Sequence, residues 1–187
     1  MQTLHIKNMV CNRCITAVHN ILDEHHLKVT SIELGEVILN DTLSNPAKIQ
    51  LGVSLNRLGF ELIDSKKSQI IEKIKNSIIQ LVHYKNSQLD VNLSDYLVTA
   101  LHQDYSALSN LFSEVEGITI EKYFIAQKIE KVKELLVYDE LSLSEIAFQL
   151  HYSSVAYLSS QFKKVTGLTP SHFKKIGNEK RKPLDQL

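Results

Sequence analysis

Cys11 and Cys14 are the two thiols of this chain, with only Asn12 and Arg13 between them. A Cys-x-x-Cys pair can seat one soft metal ion between two sulfurs or close into a disulfide, and in both reactions the thiolate is the reacting form. Two thiolates suit Cu(I), which accepts two ligands, better than Zn(II), which prefers four. Three readings of the pair stay open on residue type and spacing: a soft-metal site, a dithiol redox pair, and two unconnected buried cysteines. Other candidate ligands are placed less well. His19 follows Cys14 by five residues, about 140° around a helix, so it points elsewhere. His5 falls inside a strand, and His25 and His26 fall near the far end of the helix that follows the cysteines; all four are expected to be solvated or packed.

The elements around the pair follow from periodicity. The segment TLHIKNM alternates as a strand does, and in CITAVHNILDEHH the residues Ile15, Val18, Ile21 and Leu22 recur at helical spacing. Both cysteines therefore sit where a loop enters a helix, and unpaired N–H groups and the positive end of the helix dipole stabilise thiolate there. KVTSIELGEVILN gives two short strands around Leu34-Gly35-Glu36. SNPAKIQLGVSLNRLGF then gives a helix with Asn45 as N-cap, Pro46 at the first helical position and Gly59 just past the end. FELID closes the unit as a last strand. The order β-α-β-β-α-β is the ferredoxin-like pattern.

Residues 2–64 resemble a heavy-metal-associated domain, the module of copper chaperones and of the N-termini of metal-transporting ATPases. The family motif is Met, one variable residue, then Cys-x-x-Cys, and MVCNRC matches it with Met9, Cys11 and Cys14. The resemblance implies that Cys11 and Cys14 bind the metal, with Cu(I) favoured and Zn(II) as the other candidate, and that Met9 packs beneath the loop. A Gly usually precedes the Met, and Asn8 stands in its place.

Bulk composition sets the frame for the rest. A chain of 187 residues, 43% of them hydrophobic, can build a core in each of two domains. No run of eighteen apolar residues and no signal-peptide pattern is present, so a cytoplasmic location is expected. The net charge of zero hides an uneven distribution. Residues 1–65 carry 5 Lys+Arg against 7 Asp+Glu. Six acids (Asp90, Asp95, Asp104, Glu114, Glu116, Glu121) and no Lys or Arg lie between positions 90 and 121, whereas residues 163–182 hold seven bases and one acid. Phosphate contacts, if nucleic acid is a partner, are expected mostly from the C-terminal end.

The C-terminal two thirds contain a repeat. LSNLFSEVEGIT at 108–119 and LSSQFKKVTGLT at 158–169 agree at Leu, Ser, Phe, Val, Gly and Thr with an offset of fifty residues. Each copy reads as two helices joined by a short turn. In the second, LSEIAFQLH is a helix, Tyr152-Ser153-Ser154 the turn, and Val155, Leu158, Phe162 and Val165 an apolar stripe ended by Gly167. In the first, Asp104 caps a helix with the stripe Leu108, Leu111, Phe112 and Val115. Both are helix-turn-helix units whose second helix would enter a major groove. The segment IEKYFIAQKIEKVKELLVYDE between them reads as a long amphipathic helix, able to hold the two units about one DNA turn, roughly 34 Å, apart.

This arrangement resembles the DNA-binding domain of the bacterial AraC/XylS transcription regulators over residues 68–176. SQIIEKIKNSIIQLVHY would be its opening helix, and LSLSEIAFQLHYSSVAYLSSQFKKVTGLTPSHFKK carries the family signature. His151 and Tyr152 occupy a place usually filled by Gly-Phe, and Lys128 replaces the usual Arg in the linking helix. The face opposite each apolar stripe assigns DNA contacts to Ser154, Ala156, Tyr157, Ser160 and Gln161, with Lys163 and Lys164 near phosphates, and in the first unit to Ser106, Ala107, Ser109 and Asn110. The alternative is that these are solvated helix faces. Family members often place Arg at the positions of Asn110 and Ser160, so bidentate reading of guanine is not available there; Gln161 and Asn110 can recognise adenine, and Tyr157 or Ala156 a thymine methyl. Glu114 and Glu116 stand where the second copy has Lys164 and Thr166. The second unit is therefore expected to anchor the protein, and the first to contribute little affinity or to contact a protein such as RNA polymerase.

The expected organisation is an α+β ferredoxin-like domain at 1–65, an all-α domain of two helix-turn-helix units at 68–176, and a basic, disordered tail at 177–187. A soft-metal module joined to a DNA reader suggests a metal-responsive transcription regulator and requires no catalytic chemistry: no phosphate-binding glycine loop, paired-carboxylate site or triad is recognisable. Two other classes compete, a thiol redox-sensing regulator and a metal carrier or interaction protein with a weak DNA-binding half.

Overall fold

The computed structural model describes residues 1–63, 66–85, 91–138 and 140–176. The tail expected at 177–187 and Asp90 of the acidic stretch lie outside these. The chain forms two compact units, Met1–Asn76 and Ser77–Leu187.

The first unit runs β1 (Gln2–Lys7), α1 (Asn12–Glu24), β2 (Val29–Glu33), β3 (Glu36–Leu39), α2 (Asn45–Arg57), β4 (Glu61–Ile63) and most of α3 (Lys66–Ile79). Its four strands make one antiparallel sheet in the order β2-β3-β1-β4. Alternation turns Leu4 and Ile6 of β1 inward beside Val37 and Leu39 of β3, while α1 adds Val18, Ile21 and Leu22 and α2 adds Leu51 and Leu55. Met9 and Phe60 complete this core. Ser44, not Asn45, caps α2: its hydroxyl accepts from the Ala47 N–H, so Asn45 is already helical and Pro46 falls one position later than expected.

The β2–β3 hairpin turns at Leu34-Gly35, where Gly35 has φ +81°. A side chain there would also collide with the Asn76 amide, which donates to the Leu34 carbonyl at 3.0 Å. Lys73 adds an ion pair to Glu36 at 3.2 Å. Both partners come from α3, so the segment expected to open the DNA-binding domain reaches the β2–β3 hairpin through these two side chains. The division falls inside α3, which continues into a π-helical turn at Gln80–Tyr84.

The second unit holds that π turn and α4 (Leu93–Leu101), α5 (Tyr105–Glu116), α6 (Ile120–Tyr138), α7 (Leu143–Gln149), α8 (Val155–Thr166) and α9 (Pro170–Ile176). Its capping repeats as the sequence does. Asn92, Asp104, Ser142 and Ser154 each accept from a first-turn backbone N–H, and Ser142 forms a capping box with Glu145. Gly117 and Gly167 end α5 and α8 in the left-handed region. Two aromatic pairs fifty residues apart seal the copies: Phe112 with Tyr123 at 5.6 Å between ring centroids, and Phe162 with Phe173 at 5.5 Å.

Two expectations need correction. Val115 and Val165 are about half exposed, so each apolar stripe stops at its Phe, because the last turn of α5 and α8 runs past the core. Nor is α6 simply amphipathic. It contacts α5 on one side and α7, α8 and α9 on the other, and it buries Gln127, Lys128, Glu130 and Lys133 along with its aliphatic residues. These polar groups are partnered: Lys133 pairs with Glu130, and Gln127 donates to the Tyr123 hydroxyl at 2.9 Å while its carbonyl meets the His83 ring.

Candidate functional site

Met9, the loop residue before the cysteines, is fully buried in the core of the first unit and anchors the loop from below. Asn8 makes the bend with φ +70°, the conformation a glycine would supply and one that Asn tolerates. Its side-chain amide donates to the Gly59 carbonyl at 2.8 Å, which ties the loop to the end of α2. The departure from Gly thus keeps the backbone shape and adds a restraint.

Cys11 is the N-cap residue of α1, and its carbonyl accepts from the Cys14 and Ile15 N–H groups. The two sulfurs lie 3.3 Å apart, both partly buried and both free. Burial works against the Cys11 thiolate, but hydrogen bonds from the Cys14 backbone and thiol and from the Arg13 N–H, with the Arg13 charge, outweigh it and bring its pKa below the ordinary thiol value. Burial pushes Cys14 the other way, helped by its donation to Cys11. The pair therefore holds two unlike thiols in contact, Cys11 shifted toward its thiolate and Cys14 away from it.

Among the described residues no group of three or more His, Cys, Asp or Glu side chains could hold a metal. The histidines are engaged elsewhere: His19 with Asp23 at 2.9 Å, His25 with Ser54 at 2.8 Å and His5 with Glu36 at 3.6 Å. His26 adopts φ +55° just past α1.

In the second unit the assigned faces of α5 and α8 are accessible. Ala156, Tyr157, Ser160, Lys163 and Lys164 are exposed on α8, as are Ala107 and Asn110 on α5, while Gln161 and Ser109 are half-buried. Ser154 and Ser106 have another task. Ser154 caps α8 through its hydroxyl, and the Ser106 hydroxyl and N–H are both held by the capping carboxylate of Asp104. Asp104 is kept below the usual carboxylate range by those bonds.

The turn before α8 holds a group that residue types alone did not reveal. His151 takes φ +51°, the left-handed geometry that the usual Gly provides, and places Tyr152 against the scaffold. The ammonium of Lys128 sits 4.0 Å from the Tyr152 ring centroid and 5.5 Å from that of Phe124, a double cation–π contact. Burial pushes the Lys128 ammonium down to about 8, while the rings favour its charged form. The Tyr152 hydroxyl donates to the Gln161 side-chain carbonyl at 2.8 Å, and burial raises its pKa. The two departures from the family pattern, in α6 and in the turn, therefore meet in one contact. The sequence showed each as a separate departure, one in the linking helix and one in the signature segment; their pairing across more than twenty residues was not visible.

Comparison with known proteins bears on this second unit. Residues 97–176 match the family model of a helix-turn-helix domain. The chain is 32% identical over 104 residues to the xylose operon regulatory protein of Escherichia coli strain K12, covering 55% of this chain and 26% of that protein. It is 31% identical over 114 residues to the uncharacterized transcriptional regulatory protein YesN of Bacillus subtilis, covering 60% and 30%. The solved C-terminal domain of AraT, a response regulator from Geobacillus stearothermophilus, superposes with a TM-score of 0.52 at 26% identity, covering 64% of this chain and 95% of that one. All three are regulators by name. The chain spans about a quarter of the xylose regulator's length. No helix among the described residues is long and apolar enough to cross a membrane. The helix pairs α4–α5 and α7–α8, joined through α6, thus form a helix-turn-helix domain of the kind found in AraC-type transcription regulators.

Proposed function

We propose that this chain is a metal-responsive, sequence-specific transcription regulator, not an enzyme, that binds double-stranded DNA through α8 and a soft metal ion through Cys11 and Cys14. The observation that carries the metal half is the thiol pair itself: two sulfurs 3.3 Å apart at the start of α1, one with a lowered pKa, over a buried Met9. The strand order β2-β3-β1-β4 supports reading the first unit as a ferredoxin-like, heavy-metal-associated domain. A two-sulfur set favours Cu(I) over Zn(II).

Metal occupancy then shifts DNA affinity through a coupling free energy, for which about 1 to 3 kcal/mol suffices. Phosphate contacts come from Lys163 and Lys164; α5, which bears Glu114 and Glu116 and no Lys or Arg, contributes less or meets a protein such as RNA polymerase. The short sulfur–sulfur distance favours a second reading, in which the pair switches by forming a disulfide.

Selection of bound genomic fragments by the full chain, with Cu(I), with Zn(II), with a chelator and with a mild thiol oxidant, separates the two. Metal-dependent enrichment that is lost in the chain carrying Cys11→Ser and Cys14→Ser supports the first reading; dependence on the oxidant alone supports the second. Identical enrichment in every arm refutes both and leaves a regulator without a thiol switch.

A further inference from the structure

Gln161 is the one amide on α8's assigned reading face, and its orientation is set before DNA arrives. The Tyr152 hydroxyl donates to its carbonyl oxygen at 2.8 Å, and its amide nitrogen lies 3.5 Å from the exposed Tyr157 hydroxyl, at the outer limit of a hydrogen bond. Tyr152 is itself immobilised, because Lys128 sits on its ring face and its own hydroxyl is spent on Gln161. An unrestrained glutamine can present its amide either way round, and pairs with adenine by accepting from N6 and donating to N7. Here the acceptor end is turned back toward the scaffold.

We propose that Tyr152 is a positioning residue that makes Gln161 a donor-only reader, so that the base it meets is guanine, through N7 and O6, rather than adenine. This rests on the reading of α8 as a DNA-contacting helix and replaces the adenine assignment made from residue type. The Gln161 amino group carries two hydrogens, and the guanine edge offers two adjacent acceptors in the major groove, whereas adenine needs the carbonyl oxygen, which the Tyr152 hydroxyl holds turned toward itself, to face its amino donor. Loss of one hydroxyl should therefore change which base is chosen, and not only how tightly the protein binds.

The test is selection of bound duplexes from a random-sequence library by the full chain, by Tyr152→Phe and by Gln161→Glu. Tyr152→Phe keeps the ring under Lys128 and removes only the donor. Gln161→Glu keeps the partner of Tyr152 but presents an acceptor to the groove. The unaltered chain should enrich a motif with guanine at one position. Tyr152→Phe should lower the guanine-over-adenine preference at that position by about tenfold, and Gln161→Glu should move the same position to a base that carries an amino group, adenine or cytosine. A Tyr152→Phe motif identical to that of the unaltered chain overturns the proposal, as does an unchanged motif in Gln161→Glu. Failure of the unaltered chain to enrich any motif removes the DNA-reading function itself, and is distinct from either result.

Discussion

Replacing Lys163 and Lys164 together by Ala removes two exposed cations from the last turn of α8, while the cap made by the Gly167 N–H to the Lys163 carbonyl is a backbone bond and survives. The corresponding places on α5, fifty residues earlier, are Ser113 and Glu114. If each Lys neutralises one phosphate, the double variant lowers the slope of log affinity against log salt by about 1.8, which at about 0.15 M salt amounts to a loss near thirtyfold. Asn110→Ala removes no charge and should leave the slope unchanged. The assay needs no known operator, because the counterion contribution is independent of sequence: anisotropy titration of a labelled random-sequence duplex across a salt series gives both affinity and slope. Equal losses for Asn110→Ala and for the double Lys variant, or a slope untouched by the latter, would refute the assignment of the anchor to α8.

Three further outcomes follow from the described contacts. Alkylation by iodoacetamide, resolved by site with mass spectrometry, should modify Cys11 before Cys14 at neutral to mildly alkaline pH, because the first thiol is shifted down and the second up; equal rates would mean that the loop does not hold the sulfurs together. Asn8→Gly keeps the left-handed bend and loses the bond to the Gly59 carbonyl, costing about 1 kcal/mol, whereas Asn8→Val adds strain of about 1–3 kcal/mol; thermal melts in which Val is tolerated as well as Gly would contradict the bend. Lys128, with a folded pKa of about 8 against about 10.4 in an unfolded chain, leaves the unfolded state holding more protons between those values. Stability relative to Lys128→Met should therefore rise from pH 8 toward pH 10, and denaturant midpoints that stay parallel across that range would count against a desolvated ammonium.

Much of this architecture was legible because it depends on local rules. Alternation in TLHIKNM, helical spacing after Cys14, and the fifty-residue repeat each specify an element through contacts that neighbouring residues make. What escaped depends on partners far along the chain. The polarity of Lys128, Glu130 and Lys133 argued for a solvated face of α6, yet ion pairing and ring contacts let all three go inside. The periodicity of SQIIEKIKNSIIQLVHY gave a helix but not its neighbours, which Lys73 and Asn76 fix by reaching the β2–β3 hairpin. At the candidate sites, the thiol spacing and the exposed face of α8 could be read directly. The roles of Ser154 and Ser106 as helix-start groups, and the hold of Tyr152 on Gln161, required the fold.

The matched aromatic pairs, Phe112 with Tyr123 and Phe162 with Phe173, show that both copies of the duplicated module are sealed in the same way. A shared interior frees the exteriors. One copy can keep a cationic rim while its twin turns acidic, with neither losing its fold, and a gene duplication of this kind yields a scaffold on which two surfaces diverge under separate selection.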